Sequence, residues 1–313
     1  MSKQYLTLHT LDAVHPSDIF ALAATKTQIL SGSGSSSIRI HDTTQPDFPL
    51  AQTLEGAHKL GVHHLVTSRE GKTAASAGFE GKVKIWMVSE DGTWFEKGDI
   101  VDQHNPGDIW AIALSADGNY LASSSIDGKI NVWSLTFNKD CMPKIRDYET
   151  KGSFGLCVNL SADGKFTASG HENGSVFIFN NDTGRLAHSL PGLVQPIRAV
   201  AFSPASKLLA AAGDARVIAL YDVNSGEQVA NLVGHGAWVL TLDWSDTGEY
   251  LLSGSHDSKA KIWRIDSKSC VTTHTHGDRP LWAARWLPKT TRSEMFALAG
   301  GNQAIGFYRE AAG

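Results

Sequence analysis

The tripeptide Asp-Thr-Gly occurs twice in the 313 residues, at 182–184 and at 246–248. Two such turns could bring Asp182 and Asp246 together so that their carboxylates share one proton and activate a water, as in acid peptide hydrolysis. Ser, His and Asp also recur together, the residue types of a nucleophile, its base and the acid that orients the base. The runs "VHHL" (62–65) and "HTHGD" (274–278) are candidate metal-ligand fragments, and "SGSGSSS" (31–37) has the glycine and hydroxyl content of a phosphate loop. Each of these chemistries needs elements that hold its groups in a fixed geometry. Whether such elements exist depends on what else in the chain resembles each stretch.

A period of about 45 residues answers that question. "SGSHDSKAKIWRI" (253–265) aligns with "SSSIDGKINVWSL" (123–135), "SAGFEGKVKIWMV" (76–88), "SGSGSSSIRIHDT" (31–43) and "SGHENGSVFIFNN" (169–181), with weaker copies at 211–223 and 298–310. The seven copies carry an aromatic residue or a histidine at one register position, His41, Trp86, Trp133, Phe179, Tyr221, Trp263 and Tyr308, spaced 42 to 47 residues apart. Self-similarity at such a period is the mark of a repeat architecture. Alternating apolar and polar residues, broken by turn residues, predict four short strands per unit. In the sixth unit they run 238–244, 250–255, 260–265 and 270–274. Four strands repeated seven times predict an all-β fold of radial sheets around a channel, a seven-bladed propeller. Only "REAAG" follows Tyr308, too short for a fourth strand, so residues 4–10 are expected to complete the last blade and close the ring. One domain spanning 1–313 is expected.

The repeat removes most of the candidate chemistry. "SDTG" at 245–248 is in register with "SADG" at 115–118 and 161–164, the turn between first and second strands, whereas "NDTG" at 181–184 matches "VNSG" at 223–226, the turn between third and fourth. Asp182 and Asp246 therefore occupy non-equivalent turns of different blades, where Asp and Gly serve local turn geometry. The recurrent serine falls mid-strand, and no G-x-S-x-G elbow exposes it. No acid or cysteine stands at ligand spacing from the paired histidines, which read as surface or strand-end residues, and the serine-glycine run lacks the lysine of a phosphate loop. No catalytic residue, metal site or cofactor is assigned.

A formal net charge of −4, from 28 basic and 32 acidic residues spread along the chain, provides no basic surface for direct nucleic-acid binding. The start "MSKQYLTLHT" lacks the pattern of a secretory signal, and no run of 18 apolar residues offers a membrane span, so a soluble, intracellular chain is expected. Cys141, Cys157 and Cys270 are odd in number and lack C-x-x-C spacing, which predicts buried free thiols and no disulfide framework.

One polar set recurs on the repeat: a His before the first strand, a Ser on the second, an Asp in the turn after it and a Trp on the third. His235, Ser253, Asp257 and Trp263 complete it, as do His104, Ser123, Asp127 and Trp133; His58, Ser76 and Trp86 do so with Glu80 in place of the Asp. With the period, this set resembles the WD-repeat family of β-propellers. The resemblance implies a structural network in which the Ser–His–acid chain satisfies a buried Trp N–H. The fourth and fifth units lack the His, Ala211 stands where the fifth would carry Ser, and the literal Trp-Asp pair is absent. Plain packing is expected to hold those two blades.

Without a catalytic constellation, the default role of a propeller is a rigid platform whose loops meet partners. Residues at the start of each first strand, and just before each turn acid, crowd one mouth of the channel: Asp18, Phe20, His63, Phe79, Asp108, Trp110, Ile126, Glu172, Pro196, Arg198, Trp238, Leu240, His256, Pro280 and Trp282. Among them Phe20, Phe79, Trp110, Ile126, Trp238 and Trp282, with Asp18 and Asp108 on the rim, are the candidate partner-binding residues, because apolar groups rimmed by charge mark protein interfaces. The competing reading folds these rings inward as a plug.

The stretches 195–223 and 234–270 further resemble the family of WD-repeat subunits of the superkiller complex, which assists the RNA exosome. That resemblance implies a non-enzymatic scaffold in messenger-RNA decay, a monomeric propeller within a hetero-oligomer that binds a tetratricopeptide-repeat subunit and an RNA helicase, in cytoplasm and nucleus. Relatives act in meiotic recombination and in the polymerase II-associated factor complex, which keeps those scaffold roles open. A reader of modified histone peptides, caging a methylated Lys among Phe20, Trp110 and Trp282, is a further alternative.

Overall fold

The computed structural model describes residues 3–100, 109–136, 142–150, 152–289 and 293–311. They form seven four-stranded antiparallel sheets and, among the described residues, no helix. Each sheet is a blade. Blades one to six take four consecutive strands each, within 19–54, 62–100, 109–148, 155–190, 197–233 and 239–275. Blade seven takes its three inner strands from 283–310 and its outer strand, Tyr5–Leu11, from the N-terminal segment. In blade six the strands are Val239–Trp244, Tyr250–Ser255, Lys259–Arg264 and Ser269–Thr275, each end within one residue of the sequence-derived boundary.

The strand sequences explain the stacking. The second and third strands of blade five, Leu208–Gly213 and Val217–Asp222, are buried along nearly their whole length, whereas the outer Gln228–Val233 buries only Leu232. Continuous apolar runs of this length suit strands covered on both faces. The core accordingly lies between successive blades: Leu30, Ile40 and Leu54 of blade one pack on Val62, Leu65 and Trp86 around blade two, and Leu252 and Ile262 of blade six on Trp286 and Phe296 of blade seven. Each fully buried side chain of this size stabilises by about 1.5–3 kcal/mol. Small residues allow the inner strands to approach. A Cβ added at Gly254 would lie 2.7 Å from Thr241 Cγ2 and 3.0 Å from Leu281 Cδ2, so glycine sets the distance between blades six and seven there.

The ring closes through the N-terminal strand. Tyr5–Leu11 pairs antiparallel with Ile305–Glu310, from Tyr5 opposite Glu310 to Leu11 opposite Ile305, with one bulge between Thr7 and His9. Lys3 Nζ lies 2.7 Å from Glu294 and 3.2 Å from Glu310, and Tyr5 OH donates to Glu294 at 3.1 Å. The Tyr5 ring meets Phe296 and Trp286 edge-on at centroid distances of 5.4 and 5.9 Å. Blade seven is then stitched to blade one by Val14 N donating to Gln303 O (2.9 Å) and Ile19 N to Gly300 O (3.1 Å).

The cysteines need a correction. Cys157 is a buried free thiol, but Cys270 is exposed, because it lies on the outer strand of blade six, where no further blade covers it. Cys141 lies outside the described residues.

Deleting residues 1–11 removes a whole strand and its ion pairs. The Tyr5 ring alone matches the burial of a Phe, about 1.5–3 kcal/mol, and the exposed edge of Ile305–Glu310 becomes a site for intermolecular pairing. The deletion is expected to lower the thermal unfolding midpoint and promote association; a truncated protein that melts like the full chain contradicts the closure.

Candidate protein-docking site at the channel mouth

In six blades the first strand slips register against the second at its start, between Ile19 and Ala21, Val62 and His64, Ile109 and Ile112, Gly155 and Cys157, Ile197 and Ala199, and Val239 and Thr241. A β-bulge leaves a residue out of the ladder and re-aims its side chain. Phe20, His63, Trp110 and Arg198 are among the residues so placed, and all four line the central channel, a cavity of about 710 Å³. Blade seven needs no bulge, since Trp282 precedes its first strand, Ala283–Leu287.

The side chains touch from blade to blade. His63 stacks on Trp110 at a centroid distance of 4.7 Å, Phe79 contacts His63 at 4.8 Å and Phe20 at 5.5 Å, and Phe20 contacts Trp282 at 5.5 Å. His256 bridges Trp282 (6.4 Å) and Trp238 (5.5 Å), while Phe154 meets Trp110 edge-on at 5.3 Å. Blade five contributes Arg198, whose guanidinium lies 4.6 Å from the Trp238 centroid and pairs with Asp214, Nη2 to Oδ2, at 3.1 Å. Edge-to-face and offset pairs add about 0.5–1.5 kcal/mol each beyond area burial, so the rings brace one another into a collar.

The collar leaves the channel open. Phe20, Trp110 and Trp282 are half-buried, whereas Phe79, Trp238 and Ile126 are 40, 44 and 53 % exposed. Asp18 is more than a rim charge: its Oδ2 accepts from Trp282 Nε1 at 3.1 Å and orients that ring. Asp108 lies outside the described residues. Phe154 and Asp214 escaped sequence reasoning, although the register contained them. Phe154 directly precedes a first strand, as Asp18 and Trp238 do, and Asp214 has the turn position of Phe79 and His256. A cage for a methylated Lys needs several ring faces turned to one cation within about 6 Å. Here a face of Trp110 is covered by His63, and Phe20 and Trp282 are in contact with each other.

His63 belongs to the collar as a neutral ring. Its Nε2 contacts Gly78 O at 3.1 Å, an atom that only accepts, so Nε2 carries the proton and Nδ1 accepts from His64 Nδ1–H at 2.8 Å. Burial pushes His63 down to about 4 and His64 well below the usual imidazole range. Deeper in the channel Arg285 donates to Leu22 O (3.0 Å) and lies 3.4 Å from Asp243, whose carboxyl is raised by burial and partly restored by Arg285.

Within the blades the polar set forms a network. In blade two, His58 Nε2 is 2.7 Å from Ser76 Oγ and its Nδ1 is 2.7 Å from Glu80, while Trp86 Nε1 donates to Ser76 Oγ at 2.9 Å. Blade six repeats it: His235 to Ser253 at 2.7 Å, His235 to Asp257 at 3.2 Å, and Trp263 Nε1 to Ser253 at 2.8 Å. The serine accepts from Trp and donates to Nε2, which leaves the neutral His proton on Nδ1 for the carboxylate. Burial lowers His58 and His235, with Glu80 and Asp257 opposing it. In blade three Trp133 Nε1 donates to Ser123 at 2.9 Å and Asp127 accepts from Ser125 Oγ; His104 lies outside the described residues. Ser76, Ser123 and Ser253 are buried, so none is an exposed nucleophile.

Other blades depart from the sequence reading. Blade four has no loop His, as read, yet is not held by packing alone: it takes His171 from its own second strand, with Nε2 2.9 Å from Ser169 Oγ and Nδ1 2.9 Å from Ser153 O. Blade one uses His15, 2.9 Å from Ser31 Oγ. Blade seven sets His276 3.3 Å from Tyr308 OH. Two of the paired histidines are not surface residues: His63 and His276 are buried, His63 against a ring of the collar and His276 against the third strand, while His64 and His274 are half-buried on their strands. The Asp246 turn also does more than expected. Thr247 Oγ1 accepts from Glu249 N within the hairpin, which frees Asp246 to accept from Lys289 N of blade seven at 3.0 Å. Asp182 remains in a blade-four turn held by Asn180, so the two acids stay apart. Among the described residues no three His, Cys, Asp or Glu side chains converge on a metal-binding geometry.

Seven four-stranded blades, two of them pinned by a complete Ser–His–acid–Trp set, define a WD-repeat propeller. The model of the WD domain, G-beta repeat, matches residues 49–87, 97–134, 184–222 and 226–264. The chain belongs to this family. It is 39% identical over 312 residues to meiotic recombination protein rec14 of Schizosaccharomyces pombe, covering 100% of this chain and 99% of the relative. It is 27% identical over 329 residues to antiviral protein SKI8 of Saccharomyces cerevisiae, covering 87% and 83%. Mouse striatin is 27% identical over 237 residues, 70% of this chain and 30% of striatin.

Two predictions follow from the buried network. Asp257→Ala strips the acceptor from His235 Nδ1–H and Gly236 N; the buried histidine N–H left without a partner sets an expected loss of about 1–3 kcal/mol, while the exposed Gly236 amide returns to water. Asp246→Ala loses one exposed bond, about 0.5–1.5 kcal/mol; equal shifts in urea midpoint would count against the network. Burial also holds His15 and His41, like His63, at about 4, against about 6.5 when unfolded. The unfolded chain takes up protons through pH 6.5 while the folded one stays neutral down to about 4. Stability is therefore full above pH 6.5 and declines as pH falls toward 4. Calorimetric midpoints that stay flat or rise across that window would contradict it.

Proposed function

We propose that this chain is a non-enzymatic interaction scaffold whose collar receives an extended segment of a protein partner. We further propose that it acts as the WD-repeat subunit of a superkiller-type complex, supporting exosome-mediated 3′–5′ mRNA decay with a tetratricopeptide subunit and a helicase. The collar carries the docking reading: contiguous, part-exposed rings surround one mouth, rimmed by Asp18 and by the Arg198–Asp214 pair. Packed aromatic centres concentrate interface energy, and rings already braced lose little freedom on binding. The likeness to antiviral protein SKI8 over most of both chains supports the decay assembly. A second reading, a scaffold in meiotic recombination, draws on the 39% identity to rec14 along the whole chain. The same face can serve both assemblies, one cytoplasmic and one nuclear.

The partner segment is expected to carry a large apolar anchor beside a Lys or Arg that meets Asp18. Trp110→Ala should weaken binding of the tetratricopeptide partner by about 2 kcal/mol or more, roughly thirtyfold. Asp18→Asn keeps an acceptor for Trp282 and removes the charge, so it should mainly slow association and flatten its salt dependence. Both are read by surface plasmon resonance on variants whose circular dichroism and melting match the parent. Parental affinity in a folded Trp110→Ala protein places the partner on the blade sides or the opposite face.

A further inference from the structure

In blades two and six the turn between second and third strands supplies a carboxylate, Glu80 or Asp257, to Nδ1 of the network histidine. Blade one has the histidine and the serine, His15 and Ser31, but no acid. With Ser31 in register with Ser76 and Ser253, the position of Glu80 and Asp257 is held by Ser35, whose Oγ lies 3.4 Å from His15 Nδ1 and 2.6 Å from Ser33 Oγ, the neutral hydroxyl that stands nearer, 2.9 Å from Nδ1. A cation stands beside the gap. Arg39, in the register of Lys84 and Lys261, donates to Val14 O, keeps its Nε buried and unpaired, and has no carboxylate at ion-pair distance among the described residues.

This turn is also built differently. In the other six blades Gly81, Gly128, Gly174, Arg216, Ser258 and Gln303 each donate their amide to the carbonyl three residues earlier, at 2.9–3.2 Å, and each has a φ between 62° and 86°. Their counterpart is Ser36. Among the described residues it shows neither that bond nor a positive φ, and the segment Gly34–Ser36 is a bend between an exposed glycine and two half-buried serines. A bend without the cross-turn bond can be drawn out into the extended form that a kinase cleft accepts.

We propose that Ser35 is a phosphorylation site whose phosphate supplies blade one with the acid that Glu80 and Asp257 supply elsewhere. A protein kinase transfers the γ-phosphoryl of ATP: the Ser35 Oγ–P bond forms, the bond to the β–γ bridging oxygen breaks, ADP leaves, and the hydroxyl proton passes to the kinase's base. The product brings a charge of about −1.5 to −2 and three acceptor oxygens, which suit both His15 Nδ1–H and the Arg39 guanidinium. The turn borders the collar, since a Cβ at Gly34 would stand 3.5 Å from Phe20 Cε2. An effect on docking therefore follows if the collar is the interface; the modification itself does not rest on that reading.

Trypsin cleavage after Lys26 and Arg39 yields a peptide, 27–39, that holds every serine of the run. In protein purified from the cells that make it, fragmentation mass spectrometry is expected to place phosphate on Ser35. Protein carrying genetically encoded phosphoserine at 35 should melt roughly 2–4 °C or more above the unmodified chain. By NMR, its His15 should titrate at higher pH, with Arg39 and His41 as the other titratable or charged groups acting on that ring. Phosphoserine at 36 should do neither. A native peptide free of phosphate, or phosphorylated only at Ser36 or Ser37, overturns the proposal. So does a phosphoserine-35 protein that melts no higher and leaves His15 unmoved. Neither readout involves a partner, so this inference and the docking reading fail separately.

Discussion

Antiparallel pairing of Tyr5–Leu11 with Ile305–Glu310 joins the two ends of the described chain in one sheet, and the rest of the molecule depends on it. A blade buries both faces only when it has a neighbour on each side, so the seams on either side of blade seven exist only in a closed ring. Without closure, Trp286, Phe296 and Phe307 would lose their cover or its support. The contacts from Lys3 and Tyr5 to Glu294 place polar bonds at the joint, where a purely apolar strand could slip in register.

Closure also fixes the mouth of the channel. Phe20, Phe79, Trp110, Trp238 and Trp282 come from five blades, and their mutual distances are set by the blade spacing rather than by local sequence. The buried networks act on the same side of the problem. By holding the histidine before the first strand to the serine on the second, they pin the loops that lead into the bulges. Burial disfavours the protonated ring and so keeps these histidines neutral, and neutral, bonded rings do this without burying a cation.

Much of this was legible in the sequence, for identifiable reasons. The seven-fold period reveals blade number, strand order and the missing outer strand, because each blade solves the same packing problem with similar residues. The mouth positions could be read by register from Phe20, Trp110 and Trp238. The bulges could not, since the displaced residues are as unlike as Phe20, His63 and Arg198 and carry no common sequence mark. Contacts between units were equally hidden. The bond from Lys289 N to Asp246, the substitution of His171 for a missing loop histidine, and the exposure of Cys270 all depend on what the neighbouring strand or blade presents.

The central claim is that a closed ring presents one braced aromatic mouth as the docking face. Hydrogen exchange followed by mass spectrometry, on the free protein and on its complex with the proposed tetratricopeptide partner, tests it most directly. The account predicts added protection in the segments around residues 15–20, 78–81, 109–111, 236–240, 254–257 and 279–283, with the outer strands of the blades unchanged. Protection confined to outer strands, or to the turns at the opposite mouth around Ser115 and Ser245, would contradict it.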